Sequence, residues 1–551
     1  MTGKTTANSP RVTRSASAPR AVSIGWCTTH PHVLPLTLLL IGITLLFSYT
    51  IVIRQPWFGT LSADRHQWLT GSTVKFTRNW YREGALHLGF LMLENPHSVE
   101  FPTLESRQIY ISYPPGTLLP IYAVSKLIHQ EPSPGLVQTF NLLNHFLIAL
   151  GLALIVYLLL IRLWLHPIHA GLFAGIPPLF VLLLPAPLYW FQNVFFSDQA
   201  IILPFVLMLL GEVAREFPLS DRQSRWLAIA QGVVLWYGFF TDWFFVFLAL
   251  VIYGKRLLRG ELPHARRQFF LHSLAFWMGP ITAISLFAMQ LLAFHQWETL
   301  LAKFLFRSGS LNENGQPITD FYDRFWGRFV PVGYGELASY LLWGSLLLLG
   351  VVLWRHALKP GAGKRCRLPI ASLPSLMGIT LLPCFLEIYA LKNHSWSHDF
   401  SALKLLVPLS IIPFVVLPVW LLGLWRKLPV FQPHETPHLV FSRMILGINL
   451  AMLVCAGSYT LSAHPRYRGF FPQPLTGIKE LTALTQQFTY HDIIITRNFE
   501  IPANPPQLLS YTMKRIYKVN QQADLDRITA PIREPFRVID LGTQIKQAEG
   551  P

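Results

Sequence analysis

Charge is scarce in this chain. Only 13% of its 551 residues are Asp, Glu, Lys or Arg, about half of the roughly 25% usual in a soluble domain. Together with a mean hydropathy of +0.38, this excludes an ordinary water-soluble globule. Cysteine is scarce too. The four are Cys27, Cys366, Cys384 and Cys455, spaced too widely for a CxxC metal pair. The long apolar runs lack alternation with period two, which excludes an outer-membrane barrel. Basic blocks with interleaved aromatics are missing as well, so the net charge of +17 does not describe a nucleic-acid module. Multi-pass membrane proteins gather Lys and Arg in their cytoplasmic connections, and that accounts for the surplus.

What is present is a series of apolar stretches, several of them near the roughly 20 residues that span a bilayer as helix. The expected fold is an all-α polytopic membrane protein with about eleven transmembrane helices. The runs are 33–53, 136–161, 170–188, 199–214, 226–240, 241–254, 269–294, 336–354, 369–390, 403–425 and 443–461. Arg215, Arg222 and Arg225 lie in the connection 212–226; Lys255, Arg256, Arg259, Arg266 and Arg267 lie in or beside 254–268; Arg355, Lys359, Lys364, Arg365 and Arg367 lie in 355–368. The positive-inside rule puts these segments in the cytoplasm. The N-terminus is then cytoplasmic and the C-terminus extracytoplasmic. Reading 226–254 as one span instead of two would invert everything downstream. On this topology two cysteines are cytoplasmic and two lie inside spans, so a disulfide framework is not expected.

Three regions follow. Residues 1–32, rich in Ser, Thr, Arg and Pro, read as a disordered basic cytoplasmic tail. Residues 33–461 form the membrane domain, whose first outer loop, 54–135, is too apolar to hang free. Trp68, Phe76 and Trp80 recur in it near helical spacing, which predicts a helix lying in the membrane interface. The stretch 113–128 begins with Tyr113, Pro114 and Pro115 and suits an interfacial or re-entrant helix start. Residues 462–551 read as a small extracytoplasmic α/β domain, with strands at 491–496 and 536–542.

Charges at or inside a membrane are costly, and each one invites a functional reading. The acids here gather on the outer side. Asp64 follows the first span, Asp198 precedes the fourth, Asp242 sits at the turn of the 226–254 hairpin, and Asp399 follows the ninth. Asp64, Asp198 and Asp242 have a plainer reading as helix N-caps, strongest for Asp242, although Ser62 is placed to cap in place of Asp64. His394 and His398 stand four apart beside Asp399. On a helix their imidazoles would share a face, as metal ligands do; in a loop the segment suits a phosphate or a sugar. Arg307, Arg324, Arg328, Lys392 and Lys404 flank the same face. They either snorkel to headgroups or recognise an anionic lipid, for which Arg supplies forked hydrogen bonds.

Four segments, in order, resemble the C-type (GT-C) glycosyltransferase superfamily: "SADRHQW", "ISYPPG", "FFSDQA" and "HDFSALKLLVPL". The branch they resemble is that of bacterial protein O-mannosyltransferases and aminoarabinose transferase-like proteins, over about residues 33–461. The resemblance implies a polyprenyl-phosphate-linked sugar as donor, transfer outside the cytoplasm of a bacterial plasma membrane, and inversion at the anomeric carbon. It makes Asp64 the catalytic base and Asp198 the second outer acid. Arg65 stands where relatives often carry another acid, a departure that weakens a metal-dependent reading, although a divalent cation stays among the possibilities. Arg65 or His66 would orient the acceptor or pair with phosphate. Tyr113, Arg307, Arg324, His394, His398, Asp399 and Lys404 complete the expected substrate-binding set. The acceptor is a lipid, a glycan or a protein. Rival readings are a lipid-linked sugar flippase without transfer chemistry, a non-catalytic subunit of envelope machinery, and a sugar polymerase or ligase. Transporters commonly show internal repeats and midplane charges; this chain shows no evident repeat, and its acids lie at one face.

Overall fold

The computed structural model describes residues 30–61, 66–163, 165–263, 265–312, 314–357, 364–425, 488–497 and 506–541, with isolated positions between 447 and 458. Among the described residues the chain is helical nearly throughout and carries two small sheets. It is a multi-pass integral membrane protein. Among the described residues, six helices are long and apolar enough to cross a bilayer, and up to eight if each bent pair is one span.

The difference from the eleven expected lies partly in runs that are divided or short. The run 170–188 is cut into Pro167–Ala174, Ile176–Leu183 and Pro185–Asn193, with a bend of 62° before the last of them. Pro177, Pro178, Pro185 and Pro187 lack the N–H that a continuous helix needs. The run 226–254 forms two helices, Asp221–Phe239 and Phe244–Leu258. They fold back on one another: Arg256, near the end of the second, donates to Gln231 Oε1 in the middle of the first at 3.1 Å. The expected span 443–461 lies, but for isolated positions, outside the described residues, as do residues 1–29.

Pro134–Arg162 is the central helix, buried along most of its length and packed against the first helix, His30–Arg54, against Ile202–Ala214 and against Leu406–Trp425. The first helix is peripheral. Leu34, Leu38 and Leu45 are 59%, 59% and 67% exposed, an apolar face of the kind that contacts lipid.

The helix expected in the interface exists as Gln67–Glu83, but it is not laid on a surface. Val74, Phe76 and Trp80 are fully buried, because the helices Leu118–Leu127, Pro134–Arg162 and Pro506–Thr512 pack against it. Its polar side chains tie down the chain that follows. Trp80 Nε1 donates to the Leu91 carbonyl at 2.7 Å and Asn79 to that of Leu93 at 2.9 Å. These bonds hold β1 (Met92–Leu93), which pairs antiparallel with β2 (Ile109–Tyr110).

Near the C-terminus, β3 (Asp492–Thr496) lies between β4 (Ile516–Lys518) and β5 (Arg537–Asp540), and both pairings are parallel. Parallel neighbours require crossovers, and the helices Pro506–Thr512 and Gln522–Thr529 occur in them. Ile493, Ile495 and Val519 pack with Val99, and the Val99 N–H donates to the Tyr490 carbonyl at 3.1 Å.

Candidate functional site

Each acid reaches the site by a local device. The segment before Asp198 is held by two threonines of Gln67–Glu83. Thr70 Oγ1 donates to the Asn193 carbonyl at 2.8 Å and accepts from Phe195 N–H at 2.8 Å, and Thr73 Oγ1 donates to the Phe195 carbonyl at 2.6 Å. Asn141 adds bonds to the Trp190 and Val194 carbonyls, both 2.9 Å. Asp198 itself makes no capping bond in the short helix Ser197–Ala200. Asp242 does, accepting from Phe244 N–H at 2.8 Å. Its turn is gripped by the Tyr-Pro-Pro-Gly segment: Gly116 N–H donates to the Phe240 carbonyl at 2.6 Å, and Trp243 Nε1 donates to the Ser112 carbonyl at 3.0 Å. A Cβ at Gly116 would stand 2.2 Å from that Phe240 oxygen, so only glycine fits there.

Lys404 is the centre of the arrangement. Its Nζ lies 3.0 Å from Asp198 Oδ1 and 3.6 Å from Asp242 Oδ1, and it donates a hydrogen bond to Glu387. The four residues are 1%, 2%, 0% and 6% exposed. Lys404 was expected among the cations on the outer surface; instead it is buried, because three carboxylates from three other segments surround it. An ammonium has three donors, and here three acids face it. The centre of the carboxylate group, where a divalent ion would be held, is filled by this ammonium. Among the described residues no three His, Cys, Asp or Glu side chains form a metal-holding group. The acids gathered here therefore do not fit a divalent cation.

A second set of groups adjoins the cluster. Tyr113 Oη and His394 Nε2 share a hydrogen bond at 3.2 Å, and the Arg307 guanidinium lies 4.8 Å from the centre of the Tyr113 ring. His394 lies in the short helix Lys392–Ser397, not in an open loop. Its ring is 4.8 Å from that of His398, which stacks on Phe400 at 4.7 Å and 14°. His66 Nε2 stands 3.1 Å from Asp399 Oδ1, with its ring 5.6 Å from Trp190. Burial, and then the Arg307 charge, hold the His394 imidazole well below its ordinary pKa. Burial, and then His66, push His398 down to about 4. Both rings are neutral near pH 7. Burial, and then the Asp198 carboxylate, hold the Tyr113 phenol well above its ordinary range, and Asp242 and Lys404 act on it too. Tyr113 thus links the imidazoles to the acid cluster.

Arg324 stands apart, its guanidinium 4.1 Å from the centre of the Trp396 ring. Asp64 and Arg65 lie outside the described residues. Glu387 was not among the expected site residues, and Asp242 was read chiefly as a cap. Glu387 carried a signal in the sequence, as an acid inside an apolar run. Chemically, one guanidinium, one phenol and neutral imidazoles offer donors suited to an anionic group, beside carboxylates suited to accept a proton.

These features define a polytopic helical membrane protein with a buried, charge-lined site at one end of its helices. No known family profile and no curated protein matches the chain. Solved structures do. ArnT from Cupriavidus metallidurans bound to undecaprenyl phosphate is 14% identical, with 93% of this chain and 90% of that one covered and a TM-score of 0.50. The Archaeoglobus fulgidus oligosaccharyltransferase in its apo form is 10% identical over 89% of this chain and 65% of that one, at a TM-score of 0.52. AglB from the same organism, in complex with an inhibitory peptide and a dolichol-phosphate, is 10% identical over 88% and 64%, at a TM-score of 0.51. The chain shares the overall fold of these proteins.

Proposed function

We propose that the chain is a membrane glycosyltransferase that moves a sugar from a polyprenyl-phosphate-linked donor to an acceptor hydroxyl on a lipid, a glycan or a protein. The observation that carries this reading is the meeting of Tyr113, Arg307 and His394 with the Lys404 acid cluster, in a fold similar to that of a chain solved with undecaprenyl phosphate bound. In this reading Arg307, Tyr113 and the neutral imidazoles receive the donor phosphate, and Arg65 and His66 assist. Asp64 takes the proton of the acceptor hydroxyl as its oxygen attacks the anomeric carbon. The bond from that carbon to the phosphate oxygen breaks, its electron pair leaves with the polyprenyl phosphate, and attack from the opposite face inverts the centre. Asp198, fixed by Lys404, orients the sugar.

The opposite ends of the same helices support an extracytoplasmic site. Asp198 opens the 18-residue span Ser197–Ala214, about 27 Å long at 1.5 Å per residue. Near the other end, buried Glu212 pairs with Lys255 at 2.9 Å and with Arg256 at 2.5 Å, within the Arg- and Lys-rich connections. The positive-inside rule puts that end in the cytoplasm and Asp198 outside.

The test is a transfer assay on the purified full chain in lipid vesicles. It uses radiolabelled polyprenyl-phosphate sugars and a membrane extract as acceptor, with Asp64→Asn in parallel. The native chain should move label to the acceptor, and the variant should be slower by about 10²–10⁴-fold with donor binding kept. Equal transfer by both would remove Asp64 from the mechanism. Donor crossing the bilayer without transfer would replace the reading with a flippase.

A further inference from the structure

The span Arg266–Ala293 is followed, after Phe294, His295 and Gln296, by a second helix, Trp297–Ser308. His295 takes the left-handed conformation, φ 52°, so the chain turns there instead of running on. At about 3.6 residues per turn, Phe304, Trp297, Leu301 and Leu305 fall within one arc of about 100°. They are 47%, 53%, 49% and 60% exposed, although an apolar stripe of this width normally faces a core. Met289 and Leu292, at the end of the preceding span, are exposed as well. Exposed apolar surface thus runs from a membrane span into this helix.

Leu300, Lys303 and Arg307 fall on another side and are less exposed. Lys303 and Arg307 are four positions apart, so their side chains are neighbours on one face. Lys303 Nζ lies 5.7 Å from the centre of the Tyr110 ring, much as the Arg307 guanidinium lies over that of Tyr113. Asn393, next to His394, ties down the end of the helix by donating to the Phe306 and Leu311 carbonyls at 3.1 and 2.6 Å. Among the described residues neither cation forms an ion pair: the neighbouring acids Glu94 and Asp198 are paired with Lys75 and Lys404. Burial, and then the Arg307 charge, lower the Lys303 pKa. The two cations repel, and an anion between them relieves both.

We propose that Trp297–Ser308 lies in the membrane interface on the Asp198 side with its apolar stripe in the lipid, and that it admits the donor to the site: Lys303 meets the lipid phosphate first and Arg307 receives it. The proposal deepens the transferase reading and rests on it for the donor being a polyprenyl phosphate. An apolar stripe on a helix that also carries Lys and Arg is the pattern of helices that sink into the boundary of headgroups and acyl chains. Here the cations turn toward Tyr110 and Tyr113, so the anion they meet has to reach the inside of the site. A polyprenyl phosphate has both parts this helix fits: a hydrocarbon tail that stays in lipid beside the stripe, and a phosphate for two cations one turn apart. Lys303 is one turn nearer the membrane span, and Arg307 is beside the phenol and the imidazole. An ammonium attracts as a mobile point charge, and a guanidinium then fixes orientation through forked hydrogen bonds.

Two measurements on the full chain in phosphatidylcholine vesicles decide this. In hydroxyl-radical footprinting of the native chain, Trp297, Leu301, Phe304 and Leu305 should be protected, while Phe536, exposed beside β5, is oxidised. Oxidation of the stripe as fast as Phe536 would put it in water and overturn the placement. In equilibrium binding, Lys303→Gln should weaken affinity for undecaprenyl phosphate by about tenfold or more, the effect of losing a hydrogen bond to a charged group. Donor KM should rise alike with kcat at saturation kept, and Lys303→Arg should restore both. If Lys303→Gln does not fold, Lys303→Met keeps more of the apolar stem and serves in its place. A lysine that only packs on Tyr110 would shift the denaturation midpoint and leave affinity unchanged, which overturns the entry role. Inorganic phosphate should compete poorly; displacement at equal concentration would show cations serving a free anion and overturn the lipid route. Binding that responds to Lys303 in a chain that transfers nothing strikes the transferase reading and leaves the entry standing. Transfer that ignores Lys303 strikes the entry alone, and a native chain that binds no undecaprenyl phosphate strikes both.

Discussion

Lys404 shows what burial does to a single charge. In water its attraction to three carboxylates would be weak. Lys404 is 1% exposed, and among the described residues it is the cation that forms ion pairs with the carboxylates of Asp198, Asp242 and Glu387. Removing one partner of a buried pair costs about 3–5 kcal/mol, because the remaining charge stays buried and unpaired. Lys404→Met should therefore lose about that much stability, read as the denaturation midpoint in detergent, whereas Arg324→Met, at a site away from the cluster, should lose much less. His398 supplies a second test. Its pKa in the folded chain, about 4, lies below its ordinary 6.5, so the fold favours the neutral ring. That contribution is fully present above about pH 6.5 and is lost as the pH falls through the window to about 4. The native midpoint should drop across this window, and His398→Phe, which preserves stacking on Phe400, should flatten the drop.

At the scale of elements, the site depends on how closely segments without long helices approach one another. Gly116 lets the Tyr-Pro-Pro-Gly segment press onto the turn that bears Asp242, with a backbone bond of 2.6 Å to Phe240. A methyl group there meets backbone rather than the flexible end of a side chain. Gly116→Ala should thus cost about 1–3 kcal/mol, the usual range for overpacking, and shift the Asp242 turn away from Lys404. The measurement is thermal stability together with transfer rate; a variant as stable and active as native would show that the turn yields freely. The buried helix Gln67–Glu83 has the matching role for Asp198. Thr70 and Thr73 grip the backbone of residues 193–195 through hydroxyls, a use of threonine that its own helix does not require.

At the scale of the whole molecule, two charged clusters cap opposite ends of one helix set: Asp198, Asp242, Glu387 and Lys404 at one end, Glu212, Lys255 and Arg256 at the other. The sequence by itself determined the membrane class, the runs of apolar helix and the gathering of Asp198, His394, His398 and Asp399 near the ends of spans. These are properties of short windows, set by hydropathy and by the cost of placing charge in lipid. It also carried the GT-C resemblance through the order of four short segments. Only the tertiary structure decided the rest. Partners such as Lys404 and Asp198 or Tyr113 and His394 lie hundreds of positions apart, and no local pattern encodes which distant segment a side chain meets. For the same reason the helix at 67–83 reads from its period as surface-lying, yet packing by Pro506–Thr512, Leu118–Leu127 and Pro134–Arg162 buries it. Lys404 reads as a surface cation and is instead the ion that three converging acids surround.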